Sequence, residues 1–402
     1  MRARAVLGKC GELLISRLVL FLAGMLIGLS SPGAADPMPM IAGPPETVFV
    51  SATQGCAPWD IPDTPARAWR GADGTVRLVA GSEESRAMTG PRLGTLARDC
   101  RVLHRGAGAD NPAAYNDRAW VHATYAQGTR ITALAHVEYH GHRRADRCAA
   151  GTYLGCWRNA IIELRSDDGG TTFRRAGLVA VLPYVYIGNE GRRSGYFNPS
   201  NILRRGDFLY VFVLAEAQGA QRRGACLLRR PLDGSPSDWR AWDGAGFSVT
   251  FADPYRTEAD PSRHVCTPVD GISSTISSVV ESTAHGGYLA VTAATRPGAD
   301  GVPRSGIWWI TSTDLVRWSP PRLFWEVPLL WRRDCAAAAA FAYPSLLDDD
   351  SRSANFQTVD ERFWLYLVRM PLGPDCRVGR ARELIRLPVS WPAPQDRGTA
   401  RH

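Results

Sequence analysis

The sequence predicts an all-β chain, a five-bladed β-propeller of four-stranded antiparallel blades. Three observations carry that reading. Helical periodicity is nearly absent from a chain rich in turn formers, with 39 glycines and 28 prolines among 402 residues. A glycine-led turn followed by a short apolar or alternating strand recurs along the chain. Once a leader is set aside, about 365 residues remain, too many for one sandwich and suited to one propeller.

The leader comes first. Arg2, Arg4, Lys9 and Arg17 precede the apolar run LVLFLAGMLIGL at 18–29 and the small residues SSPGAADP. That order reads as a signal peptide over 1–35 and implies a secreted or periplasmic protein. The apolar run is shorter than the roughly 20 residues a membrane span needs, so membrane attachment follows only if the leader is not cleaved. Removing it also removes Cys10 and leaves eight cysteines: 56, 100, 148, 156, 226, 266, 335 and 376. An even number in an exported chain reads as disulfides, with the connectivity open. The formal charge of +8 falls to about +5 without the leader's four cations and Glu12. Lys9 is the only lysine, which excludes Schiff-base and P-loop lysine chemistry from the mature chain. Arginine suits a bidentate grip on oxyanions. No basic run with a recognition helix appears, so nucleic acid is not an expected partner.

The repeats then follow in order within a single domain, 36–402. Their second strands are GTVRLVAGS (74–82), GTRITALAHVE (128–138), GDFLYVFVLAE (206–216), GGYLAVTAAT (286–295) and ERFWLYLVRM (361–370). Each follows a shorter strand: TPARAWR, DRAWVHATY, FNPSNILRR, SSTISSVVE and YPSLL. The expected blades span about 46–105, 110–182, 194–250, 265–327 and 337–390. After the second hairpin, RSDDGGTTF places Ser166, Asp168, Gly170, Thr172 and Phe173 in an S-x-D-x-G-x-T-aromatic pattern. A shortened version, Ser312, Asp314 and Trp318, follows the fourth hairpin.

On these motifs the chain resembles the Asp-box, sialidase-like propellers, and in its blade number the five-bladed furanosidase-type glycoside hydrolases. The segments HVEYHGHR, CWRNAI, GYFNPSNI and YPSLLDDDSRSANF resemble a narrower group of exported bacterial proteins. The resemblance implies that the residues at 166–173 tie an outer turn and are structural, so Asp168 is not a candidate for chemistry. It further implies one carboxylate on the first strand of several blades. Asp63, Asp117 and Asp270 stand at such places, with Asn198 where the third would fall.

Chemistry at a propeller pocket needs groups that converge there. A glycosidase uses two carboxyls, one as acid and one as base or nucleophile. Asp63 and Glu138 form the preferred pair, with Asp117 and Asp270 as rivals. The stretch LAHVEYHGHR puts His136, Glu138, His140 and His142 at every second position, on one face of a strand. Three readings of it stay open. One is substrate binding and acid–base chemistry, with His140 catalytic and His136 and His142 binding. Another is a divalent metal held by His136, Glu138 and His140. The third is a structural cluster beside Cys148 and Cys156. Tyr139, Arg192, Arg193, Tyr196 and Asn198 are further sugar-contact candidates, and Asp348 to Asp350 could offer oxygen ligands to calcium.

The function expected is therefore an exported glycoside hydrolase acting on a glycan or oligosaccharide. A polysaccharide lyase using His and Tyr on an acidic sugar is the alternative, and a non-catalytic glycan- or protein-binding propeller the third reading.

Overall fold

The computed structural model describes residues 38–298 and 300–392; the expected signal peptide lies outside the described residues. Strands dominate, and the helical segments among the described residues are short: one α-helical turn at Ser51–Gln54 and 3-10 turns of three residues. No helix among them is long and apolar enough to cross a membrane.

Antiparallel hairpins build the sheets in chain order. The first sheet pairs Arg67–Arg70, Val76–Val79, Ala87–Gly90 and Ala97–Arg98. The second pairs Arg118–Gln127, Arg130–His140, Trp157–Ser166 and Arg174–Ala180. Its first hairpin closes through two residues, with Gly128 at φ +66°, a conformation that costs glycine nothing. Gly206, at φ +58°, serves the same purpose before Phe208–Ala215 in the third sheet. The fourth sheet runs through Ile276–Ser282, Tyr288–Pro297, Pro303–Ser312 and Arg322–Glu326. The last pairs Ala339–Leu347, Arg362–Pro371 and Glu383–Ser390.

Glu46–Val50 corrects one expected boundary. It pairs with Glu383–Ser390, so the segment placed at the start of the first blade is the outer strand of the last sheet. Strict four-stranded blades are also not what the pairing shows everywhere. In the third sheet the inner strand breaks at Pro199 into Ser194–Phe197 and Leu203–Arg205, and a short parallel bridge from Arg158–Asn159 to Ser194–Gly195 joins the second and third sheets. Proline lacks the N–H that an unbroken ladder requires.

Apolar cores lie between consecutive sheets. Trp69 and Val79 of the first pack with Val121 and Ile162 of the second; Leu134 and Ile161 pack with Val211 and Leu228 of the third. Phe212 and Leu227 pack with Val279 and Ile310 of the fourth, and Val291 with Leu365 of the last. Leu78 and Met88 of the first then pack with Tyr366 and Val368 of the last. The interfaces thus form a closed succession. Strands buried on both faces explain why clean polar–apolar alternation is weak in this sequence.

The cysteines pair as 56–100, 148–156, 226–266 and 335–376. Four disulfides fit an oxidising, extracellular compartment.

Arg67 ties the inner strands together. It is 2 % exposed and donates to the carbonyls of His122 (2.6 Å), Ala66 (3.2 Å) and Ser277 (2.5 Å) and to Ser345 Oγ (3.0 Å). These partners lie in or beside strands of the first, second, fourth and last sheets. Burial pulls its guanidinium down to about 9, so it stays charged at neutral pH.

Candidate active site

Strand alternation places His136, Glu138 and His140 on one face of Arg130–His140, as the sequence predicts. They form a chain of hydrogen bonds. His136 Nε2 lies 3.1 Å from Glu138 Oε1, and His140 Nε2 lies 2.7 Å from Oε2. The Asn198 N–H donates to His136 Nδ1 at 3.3 Å. That nitrogen is therefore unprotonated, which leaves the proton on Nε2 to be donated to Glu138. Burial pushes the Glu138 carboxyl up, but the two imidazole donors outweigh it and hold it at about 2. Glu138 is a buried, ionised carboxylate.

This arrangement corrects the metal reading. The two Nε2 atoms face the oxygens of the glutamate between them instead of converging on a shared point. Among the described residues no group of three or more His, Cys, Asp or Glu is arranged to hold a metal ion. The Asp348–Asp350 run is likewise engaged: Asp348 accepts the N–H groups of Asp350 and Asp360, and Asp349 pairs with Arg386.

Asp63 joins the site from the loop before Arg67–Arg70. It ion-pairs with Arg382, accepts from Tyr343 Oη at 3.1 Å, and accepts from Trp120 Nε1 at 3.3 Å. The Trp120 ring packs edge-on to His136, with centroids 5.5 Å apart, and so bridges the two carboxyl groups. Burial raises the Asp63 carboxyl above the ordinary range; Arg382 and Tyr343 oppose that, and the nearby Glu138 charge adds to it. The side chains of Asp63 and Glu138 keep 21 % and 11 % of their surface exposed.

A cavity of about 520 Å³ is walled in part by His122, Asn198, Tyr343 and the exposed Trp331; neither Asp63 nor Glu138 lines it, and its links to them are the Tyr343 bond to Asp63 and the Asn198 bond to His136. Tyr343 reaches Asp63 from a left-handed backbone, φ +60°, at a break in the pairing between Ala342 and Ser345. A bulky residue held there is strained, and such strain gathers at functional sites. His122 packs against His136 at a tilt of 36°, with centroids 4.4 Å apart, is 1 % exposed, and has no hydrogen bond at either ring nitrogen. Burial, aided by His136 and Arg67, keeps it neutral.

The other predicted residues fall in different places. His140 is fully buried and stacks on Tyr153 and on Trp157, centroids 5.3 Å away in each case with those two rings 5.0 Å apart, and His142 leans edge-on against it. Asp117 accepts Arg144 at 2.5 Å and the His140 N–H at 3.2 Å, so it anchors the loop after the strand. Asp270 is exposed in a turn. Tyr139 leaves the opposite face of the strand, bonds the Asp110 carbonyl at 2.8 Å, and lines a separate cavity of about 20 Å³. Tyr196 is buried in the core with its hydroxyl on Gln221 at 2.7 Å. Arg192 is exposed outside the cavity wall. Arg193 does line it, held by Glu216 at 2.7 Å and lying over Phe197. At the outer turn, Asp168 accepts the N–H groups of Thr171 and Thr172 at 3.0 Å and the Thr172 hydroxyl at 2.7 Å. Ser166 Oγ accepts from Gly170, and Phe173 packs on Trp69.

Sequence reasoning missed His122, Trp120, Tyr343, Arg382 and Arg67. The alternation that singled out His136 and Glu138 also applies to Trp120 and His122, which share a face of Arg118–Gln127. Nothing local marks Tyr343 or Arg382.

No family model matches the chain, and no curated protein sequence matches it. Among solved structures, it is similar to an α-L-arabinanase of Cellvibrio cellulosa complexed with arabinohexaose. That match has 9 % identity, covers 81 % of this chain and 90 % of the other, and has a TM-score of 0.42. It is also similar to an α-L-arabinofuranosidase of Podospora anserina in complex with cellotriose, at 9 % identity, 86 % and 95 % coverage, and a TM-score of 0.43. A Trypanosoma rangeli sialidase gives 11 % identity and a TM-score of 0.35, covering 82 % of this chain and 55 % of the sialidase. Likeness at this level decides neither activity nor substrate.

Proposed function

We propose that the protein is an exported glycoside hydrolase on a five-bladed β-propeller, with Asp63 as general acid and Glu138 as base or nucleophile. The closed succession of cores supports the five-bladed reading. One observation carries the chemistry: two electrostatically linked carboxyls are displaced in opposite directions. Asp63 is raised, and Glu138 is held at about 2. Environments that push paired carboxyls apart give them different roles, and on that pattern we read Asp63 as the acid and Glu138 as the base, with Arg382, Tyr343 and Trp120 all donating to Asp63. Trp120 and Tyr343 fix the acid, His136 and His140 fix the base, and Tyr343 also lines the cavity of about 520 Å³, which has room for sugar rings. Trp331, 66 % exposed in the wall, supplies a stacking surface.

The test is turnover of a glycan panel, followed by reducing-end release. D63N and E138Q should each lose about 10²–10⁴-fold in kcat, the range of a positioned acid or base. Unchanged turnover in both variants, or an unsaturated product absorbing in the near ultraviolet as a lyase makes, overturns the reading.

A further inference from the structure

The cavity of about 520 Å³ bounded by Tyr343 and Asn198 has an unusual wall. Four arginines line it, Arg193, Arg223, Arg296 and Arg332, and no aspartate or glutamate does. Arg193 and Arg223 share one carboxylate, Glu216, at 2.7 and 2.8 Å. Arg296 is half-buried and has only the Ser274 hydroxyl at 2.8 Å; its Nε is buried without a partner. Arg332 makes no ion pair among the described residues. Arg67, charged and without a carboxylate, sits behind the wall through its bond to the His122 carbonyl. His122 lines the same wall with both ring nitrogens unbonded.

A concave wall with this excess of positive charge focuses potential on anions, and guanidinium groups match the geometry of planar or tetrahedral oxyanions. We infer that the sugar bound here carries oxyanions, ring carboxylates or sulfate esters, read by Arg296 and Arg332. This rests on the hydrolase reading for the glycan itself. Arg296 Nε, buried without a partner, is a donor that an oxyanion meets with a charge-assisted hydrogen bond, roughly twice as strong as one to a neutral hydroxyl.

The test is calorimetric binding to the mature protein at low salt, with three probes of equal length: an oligogalacturonate, a sulfated oligosaccharide and a neutral arabino-oligosaccharide. Inorganic sulfate serves as a fourth. One charged oligosaccharide should bind at least about tenfold tighter than the neutral one, as one added charge-assisted hydrogen bond gives. The tighter of the two identifies the oxyanion. R296Q and R332Q should each lose about tenfold for that probe, and added salt should weaken it. Equal binding of the neutral probe, unchanged affinity in R296Q, or binding of free sulfate alone overturns the inference. D63N and E138Q separate the two proposals. Retained turnover in both, with tight binding of the charged probe, removes the hydrolase and leaves the anionic ligand standing.

Discussion

Tyr343 donates its hydroxyl to Asp63 across 3.1 Å from a backbone at φ +60°, although 280 positions separate the two residues. This contact ties the last sheet to the loop that opens the first. It also predicts a pH effect. The bond favours the ionised form of Asp63, so Y343F should raise the Asp63 carboxyl further. The alkaline limb of the rate profile, where the acid loses its proton, should move to higher pH. The fold should lose about 1 kcal/mol, the worth of one hydrogen bond. A profile that stays in place, or moves to lower pH, removes Asp63 as the acid.

Glu138 links the site to stability. Its carboxyl titrates near 4.5 when free and at about 2 in the fold. A depressed carboxyl contributes stability above its unfolded value and loses it as pH falls through the folded one. The contribution is on the order of 3 kcal/mol at neutral pH, disappearing between about pH 5 and pH 2. Denaturant midpoints of E138Q should vary less across that window than those of the parent protein. Parallel curves for the two proteins would show that the histidines do not stabilise the charge.

Arg67 should matter to the fold more than to the substrate. R67M leaves the carbonyls of His122, Ala66 and Ser277 without a buried donor. At about 1–3 kcal/mol for each unsatisfied group, a loss of about 3 kcal/mol or more is expected. R67K should recover little, because an ammonium cannot span the same four partners. A melting curve within a degree of the parent would contradict the role of Arg67 as the tie between inner strands.

The disulfides should separate by effect. Cys226 and Cys266 are buried and close a 40-residue separation, so removing them should cost about 4 kcal/mol by the chain-entropy relation. Cys148 and Cys156 close only eight, worth about 2–3 kcal/mol on the same relation. Their loop, however, carries Tyr153, which stacks on His140. The C148A/C156A pair should therefore depress turnover more than it depresses the melting temperature. C226A/C266A should do the reverse, and equal effects on both readouts would argue against a positioning role for the loop.

Much of the site was half legible. The alternation at 136–140 predicts the shared face of His136, Glu138 and His140, and the structure builds a carboxylate held between two imidazoles there. Asp63 was legible only as a candidate among four aspartates and glutamates. Its rivals look the same in sequence, yet Asp117 holds Arg144 and Asp270 lies exposed in a turn. Tyr139 and Tyr196 were expected at the sugar. Their side chains leave the opposite faces of their strands and end in other environments.

By itself the sequence determined what neighbours along the chain can settle. Glycine turns placed the hairpins, two-residue periodicity placed side chains on faces, Asp168 tied its own turn, and the even cysteine count implied disulfides. Tertiary structure decided what distant segments bring together: the pairing of Glu46–Val50 with Glu383–Ser390, Arg382 on Asp63 across 319 positions, and four arginines around one cavity. The reason is the range of the forces involved. Turn and strand preferences act over a few residues, whereas Asp63 meets Tyr343 and Arg382 only because separate sheets pack side by side, and each sheet's place depends on the apolar cores on both sides of it.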